Sequence, residues 1–414
     1  MQSRSTIKIH HLPNGITLLG EEMDFVRSGA FSILVPIGAA SDPDGCEGAA
    51  GILAEMFHKG AGPWDTRALS EQFEEIGAHR SHSAGIEVSV FSGAVLGDNL
   101  PKVLELYSTV LLEPRFPADE LESVRQLALQ ELSSLEDHPS SKVMVELAKR
   151  FYPHPFGRSQ LGTVEGVNAL DHEQLVHFYR SSFVPERAII AIAGKFDWEA
   201  VKNQVEHCFA RWSGVRKPHP QGKLSDSSSA HHLAKETNQV QIALAYPSVA
   251  ADHPDYAVAR VAVGLLSGGM AGRLFIEVRE KRGLVYRISA SHSATKGRAA
   301  VFVYAGTTPE NAEETLAVTL EQLRGLKDGI TDEELLRTKA DLKSKIVMQG
   351  ESTFSRAGAL VNDWWHLGRV RSLEEIKLAI DAVTAEDIRR HLTQFPISPI
   401  TLVTLGNKPL GIPG

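Results

Sequence analysis

Cysteine is nearly absent from this sequence. Cys46 and Cys208 are the only two, far apart and outside any C-x-x-C pattern, which excludes a disulfide framework and a thiolate zinc site. That usage suits a reducing cytosol, and a cytoplasmic location is expected. Long apolar runs are missing as well. The longest, around Ala188 to Ala193, is strand-sized rather than membrane-sized, and the opening MQSRSTIKIHHLPNG holds no stretch long enough for a signal peptide. No membrane partner is expected. Positive charge is in deficit, with 43 Lys and Arg against 51 Asp and Glu and a net charge of -8. This is the wrong sign for a protein whose main partner is a phosphate backbone, so nucleic acid is not an expected partner. What is present is ordinary globular material, 43% hydrophobic and 23% charged, which excludes disorder and fibrous classes. At roughly 150 residues per domain, 414 residues allow two or three domains.

The chain opens on a hairpin pattern. Ile7-Lys8-Ile9-His10 and Ile16-Thr17-Leu18-Leu19 flank an Asn14-Gly15 turn, and a third strand is expected over Phe31 to Ile37. The period then changes to helical over Glu47 to His58 and Ala68 to Ile76. A strand over Ile86 to Phe91 and long amphipathic helices over Asn99 to Leu112 and Ala118 to Leu135 follow. Helices arriving in blocks between strands predict an α+β fold with mostly antiparallel sheets.

Two stretches resemble one another at a fixed offset. Gly166 to Leu175 precedes an apolar strand at Ala188, and Ala379 to Ile388 precedes one at Thr401; both offsets are 213 positions (379 − 166 and 401 − 188). Asp119-Glu120-Leu121 matches Glu333-Glu334-Leu335 at 214 (333 − 119). Two homologous halves are therefore expected, residues 1–213 and 230–414. The polar, Pro-, Gly- and Ser-rich segment 214–229 would be the linker between them.

Seventeen histidines invite a search for metal motifs. His172 and His177 fail as a zincin pair, since five positions turn the second about 140° from the first at ~100° per residue. The adjacent pairs His10-His11 and His231-His232 point apart in any regular element and read as surface. His79 and His82 have no partner at ligand spacing.

More informative is Gly48-Ala-Ala-Gly51-Ile-Leu-Ala54-Glu55-Met56-Phe-His58-Lys59-Gly60, followed later by Glu131 in Leu129-Gln-Glu131-Leu. This text resembles the pitrilysin/insulinase family of inverzincin metallopeptidases, in particular short bacterial members similar to mitochondrial processing peptidase. There the run is roughly G-x-A-H-x-x-E-H-M-x-x-K-G, two zinc histidines and a general base on one helix. Aligning Met56, Lys59 and Gly60 on that pattern puts Gly51 at the first histidine, Ala54 at the catalytic glutamate and Glu55 at the second histidine. Glu131, 76 positions on (131 − 55), falls at the third ligand. The resemblance thus implies an inactive zinc motif. Catalytic zinc needs about three protein ligands and an open water position, whereas Gly51 offers no ligand and Ala54 cannot take a proton. A rebuilt site from Glu55, His58 and Glu131 is conceivable because i and i+3 share a helical face, but a packing or outward position for His58 is the better reading. No metal or other cofactor is expected in this chain.

A second run lies in the other half: Leu266-Ser-Gly268-Gly269-Met-Ala-Gly-Arg273-Leu-Phe275-Ile-Glu-Val-Arg279-Glu-Lys-Arg282-Gly283-Leu-Val-Tyr286. It reads as a glycine turn, an amphipathic helix, a Gly283 stop and a new strand. Family members carry a similar run in which an Arg and a Tyr seven apart bind substrate backbone and help to stabilise the reacting carbonyl; the matching positions are Arg279 and Tyr286. Arg273 and Arg282 compete with Arg279 by eye. Gly268 and Gly269 would lie against the substrate in the same scheme.

The resemblance, which spans nearly the whole chain, implies a processing-peptidase-like fold. Each half would be a mostly antiparallel sheet with helices on one face, and one such chain would be half of a working enzyme. It also implies a role: a non-catalytic, substrate-binding subunit of a heterodimeric zinc metalloendopeptidase, inactive alone. The partner would be a homologous subunit carrying H-x-x-E-H and the zinc, and the ligand a peptide. The alternative is a structural or binding subunit with no role in proteolysis. An autonomous peptidase is disfavoured by Gly51 and Ala54.

Overall fold

The computed structural model describes residues 7–215, 224 and 226–413. In chain order the first part holds β1 (Ile7–His11), β2 (Thr17–Glu22), β3 (Ser28–Val35), α1 (Ala49–Met56), α2 (Thr66–Glu75), β4 (His79–Ala84) and β5 (Ser89–Leu96). Helices α3 (Leu100–Leu112), α4 (Ala118–Asp137), α5 (Pro139–Phe151), α6 (Val164–Ala169) and α7 (His172–Ser182) follow, then β6 (Ile189–Gly194) and α8 (Trp198–Phe209). The second part holds β7 (Ser229–Ala234), β8 (Val240–Ser248), α9 (Tyr256–Ser267), a π-helical turn (Phe275–Glu280), β9 (Val285–Thr295) and β10 (Arg298–Thr307). It closes with α10 (Ala312–Arg324), α11 (Asp332–Gly350), α12 (Thr353–Leu367), α13 (Leu373–Ala382), α14 (Ala385–Gln394) and β11 (Thr401–Gly406). Most of the 214–229 linker lies outside the described residues.

The strands form a six-stranded sheet in the order β1-β2-β6-β3-β5-β4 and a five-stranded sheet in the order β7-β11-β8-β10-β9. One order maps onto the other. In each sheet the last strand pairs parallel with an early one, β6 with β2 and β11 with β7, while the other pairings are antiparallel. The 213-residue offset recurs in the helix starts: capping boxes open α7 at Asp171 and α14 at Thr384, at the same spacing (384 − 171). The α+β fold with two related halves is thus observed in topology and in local chemistry.

Two compact units result. The first gathers Met1–Ser134, His154–Gln221 and Gln349–Val370; the second gathers Leu135–Pro153, Gly222–Met348 and Arg371–Gly414. The halves therefore exchange a helix. Most helices of the first unit pack on one face of its sheet, through Leu18, Phe31, Ile33, Phe91 and Ile190. The opposite face, with Leu19, Leu34 and Ile189, is covered by α12, from the far half of the sequence, through Ala357, Leu360, Val361 and Trp365. In the second unit α5 does the same through Val143, Leu147 and Phe151 against Ala243, Phe302 and Val403. Helices on one face are therefore joined by a single helix on the other. This is why β6 and β11 are buried at every residue: strands covered on both sides read as continuous apolar runs rather than alternating ones.

Boundaries shift in places. The strand expected over Ile86 to Phe91 runs as β5 from Ser89 to Leu96, and the region of His79 and His82, which carried no strand in the sequence reading, forms the edge strand β4.

Candidate functional site

The start of helix α1, at Ala49, is held by Asp42 from the preceding loop. The buried Asp42 carboxylate accepts the backbone N–H groups of Gly48 at 2.7 Å and Ala50 at 2.8 Å, satisfying donors that a helix start leaves open. Burial pushes Asp42 up to about 7 against the pull of those two donors and of Arg158. Inward-facing Ile52, Leu53 and Met56 fix the roll of the helix. Beyond its C-terminus, Phe57 is locked among Phe91, Phe116, Tyr179 and Phe183 at ring separations from 4.9 Å to 5.7 Å. Lys59, one of the retained motif positions, pairs with Glu120 at 3.2 Å.

That roll turns Gly51, Ala54 and Glu55 toward one cavity of about 510 Å³. Helix α4 brings Glu131 to the same cavity and β4 brings His82. All four degenerate motif positions are thus together. At Gly51 the backbone does not demand glycine: an added Cβ would meet only the Gln160 carbonyl oxygen, at 3.5 Å. Crowding at the Cβ position is therefore not what makes this residue a glycine.

His82, for which the sequence offered no partner at ligand spacing, finds one in Glu55. Its Nε2 is 2.9 Å from Oε1 of Glu55, and this hydrogen bond is the main cause that holds the Glu55 carboxyl below the usual range. The His82 ring also lies 4.4 Å from that of His58. His58 therefore packs inward, and its buried Nε2 has no hydrogen-bond partner among the described residues. Burial is the largest cause that drives His58 down to about 3, so it is neutral at ordinary pH.

The donor set does not fit catalytic zinc. Gly51 and Ala54 contribute nothing, and Glu55 is engaged with His82. Among the described residues no group of three or more His, Cys, Asp or Glu side chains is placed to hold a metal, whereas catalytic zinc takes about three protein ligands. His172, the first residue of the failed zincin pair, is spent on the Phe116 carbonyl at 2.7 Å.

In the second unit the glycine turn holds Gly268 and, at φ 81°, the left-handed Gly269, a conformation that favours glycine. An added Cβ at Gly268 would come within 2.5 Å of the Gly264 carbonyl oxygen, so each glycine has a backbone reason as well as a candidate role. The following helix widens into the π-helical turn, closed by the Lys281 N–H to the Ile276 carbonyl five residues back. Gly283 then reverses the chain into β9. The reversal brings Arg279 and Tyr286 together: the guanidinium carbon lies 5.7 Å from the centre of the Tyr286 ring and 4.9 Å from that of Phe275.

The three arginines of this run separate by their partners. Arg273 pairs with Glu334 at 3.0 Å and donates to the Gly329 carbonyl at 2.9 Å. Arg282 pairs with Glu277 at 3.0 Å, which Lys281 also holds at 2.6 Å. Arg279 has no carboxylate partner among the described residues; it is exposed, and Tyr286 beside it is 80% exposed. A charged five-donor fork against an exposed tyrosine ring, both open to solvent, can bind carbonyl or carboxylate oxygens through its N–H groups, and the tyrosine hydroxyl can donate as well.

Among the described residues, no helix is long and apolar enough to cross a membrane. Comparison with known proteins adds the following. The sequence model described as Insulinase (Peptidase family M16) matches residues 21–164, and the one described as Peptidase M16 inactive domain matches residues 169–342. An uncharacterized zinc protease of Mycobacterium tuberculosis is 28% identical over 407 residues, covering 96% of this chain and 93% of its own length. Another from Bacillus subtilis is 27% identical over 408 residues, covering 97% and 100%. Among solved structures, a peptidase M16 inactive domain from Pseudomonas fluorescens superposes with a TM-score of 0.88 at 22% identity, covering 98% of this chain and 100% of that one. A protease from Helicobacter pylori gives 0.88 at 19% identity, covering 97% and 99%.

Proposed function

The chain belongs to the insulinase family, peptidase family M16, and from that premise we propose that it is the non-catalytic, substrate-binding subunit of a heterodimeric zinc endopeptidase. The metal, its bound water and the general base would come from a homologous partner with an intact H-x-x-E-H helix. This chain would contribute Arg279 and Tyr286 to the partner's site, where a peptide is cleaved, with Gly268 and Gly269 against the substrate backbone. A cytoplasmic setting belongs to the same proposal and rests on the scarcity of cysteine.

The observation that carries it is the state of Arg279. It lies against two aromatic rings, yet its charge is not spent on any carboxylate among the described residues. Arg273 and Arg282, in the same run, are both paired within the chain. An unspent guanidinium against the Tyr286 ring supports a role toward an oxygen supplied from outside, such as a peptide carbonyl that gains negative charge during cleavage.

Separate purification of this chain and of an H-x-x-E-H homologue from the same source tests the proposal. The expected result is sub-stoichiometric zinc in this chain, little peptide cleavage by either alone, and cleavage by the mixture. Equal cleavage by the partner alone would favour a purely structural subunit, and stoichiometric zinc with cleavage by this chain alone would overturn the account of its cavity.

A further inference from the structure

We propose that Phe275 is a positioning residue for Arg279, supporting the guanidinium without neutralising it. The inference rests on the reading of Arg279 given above and adds the group through which that arginine is held.

Two means of fixing an arginine are open to a protein. A carboxylate orients the guanidinium but consumes its N–H donors and its charge. An aromatic face within about 6 Å holds the cation through the ring quadrupole and leaves the donors at its edge free. This turn uses both, on different residues. Glu277 takes Lys281 at 2.6 Å and Arg282 at 3.0 Å, and these bonds hold its carboxyl below the usual range. Arg279 is left to Phe275 at 4.9 Å and Tyr286 at 5.7 Å.

Phe275 does not serve as core. Its neighbours Leu274 and Val278 are fully buried in the second unit's apolar cluster, and Phe275 does not figure among the described residues of that cluster or those packed on it. Its ring is half-buried on the turn, the closer of the two that face Arg279. The backbone there is π-helical, a widened turn found frequently at functional sites.

Two measurements test this. In the isolated chain, the Arg279 side-chain NMR signals are expected to carry ring-current shifts that Phe275→Leu reduces and Phe275→Tyr retains; a spectrum unmoved by Phe275→Leu would overturn the proposal whatever the chain's function. In the reconstituted two-chain peptidase, Phe275→Leu is expected to lower kcat/KM about three- to tenfold, with Phe275→Tyr close to wild type and the thermal midpoint of the chain unchanged. Combined with Arg279→Ala, Phe275→Leu should have no further effect. An equal loss in both backgrounds would show that Phe275 acts other than through Arg279. Full activity of Arg279→Ala alone would instead remove the functional reading while leaving the NMR result standing.

Discussion

His58 shows what the altered motif costs and gains at the scale of one side chain. Its ring lies tilted 4.4 Å from that of His82, with Nε2 buried and unpartnered among the described residues, and burial holds it neutral down to about 3. Unfolded, the same ring would take a proton near 6.5. Its contribution is therefore fully present above pH 6.5 and is lost as the pH falls from there toward 3, because acid favours the chain that can accept the proton. Glu55 acts in the same direction at lower pH: with its carboxyl held below the usual range by His82, its share is present above about 4.5 and is lost below it. Replacing His58 by leucine should flatten the fall in stability between pH 6.5 and 4, measured as the urea midpoint at each pH; an unchanged slope would mean that His58 is not buried as described. Part of this site was legible beforehand. The spacing from Glu55 to Glu131 and the retained Met56, Lys59 and Gly60 located the cavity wall, but the pairing of His82 with Glu55 could not be read, because His82 comes from an edge strand, His79 to Ala84, with no apolar alternation to announce it.

Elements carry a second layer of explanation. Helix α12 is tied to β2 by Arg356, which donates from Nε to the Glu21 carboxylate at 2.9 Å with both side chains buried. Two charges out of water are held by this pairing, and removing the arginine takes away one partner of the buried carboxylate. Arg356→Met should cost about 1–3 kcal/mol, measured by chemical denaturation; a loss below about 0.5 kcal/mol, the usual range of a surface substitution, would show that the pair does not tie α12 to β2. The apolar runs at Ala188 and Thr401 foretold two strands, and their full burial follows from the covering helices. The exchange of α5 and α12 was not foretold. Val143, Leu147 and Phe151, spaced by four, state that α5 buries one face, but a stripe on a helix does not say which sheet will receive it. The end of β5 was misread for a related reason. The expected strand stopped at Phe91, whereas β5 continues through Gly93, where an added Cβ would come within 2.7 Å of the Phe31 ring; close packing and not a turn requires the glycine.

At the scale of the whole molecule the opening deficits take on meaning. A cysteine-poor, acidic chain of 414 residues repeats one sheet plan twice, gathers Gly51, Ala54, Glu55 and Glu131 on a cavity in its first half and leaves Arg279 without a carboxylate partner among the described residues in its second. Neither half carries a complete set of catalytic groups among its described residues, which is why the account assigns the chemistry to two chains. The most direct test is the kcat/KM for peptide cleavage of the assembly formed with an H-x-x-E-H partner, compared between the wild-type chain and Arg279→Ala. A substrate-binding role predicts a fall of ~10²–10³ with the assembly intact, whereas equal turnover from the two assemblies would contradict it.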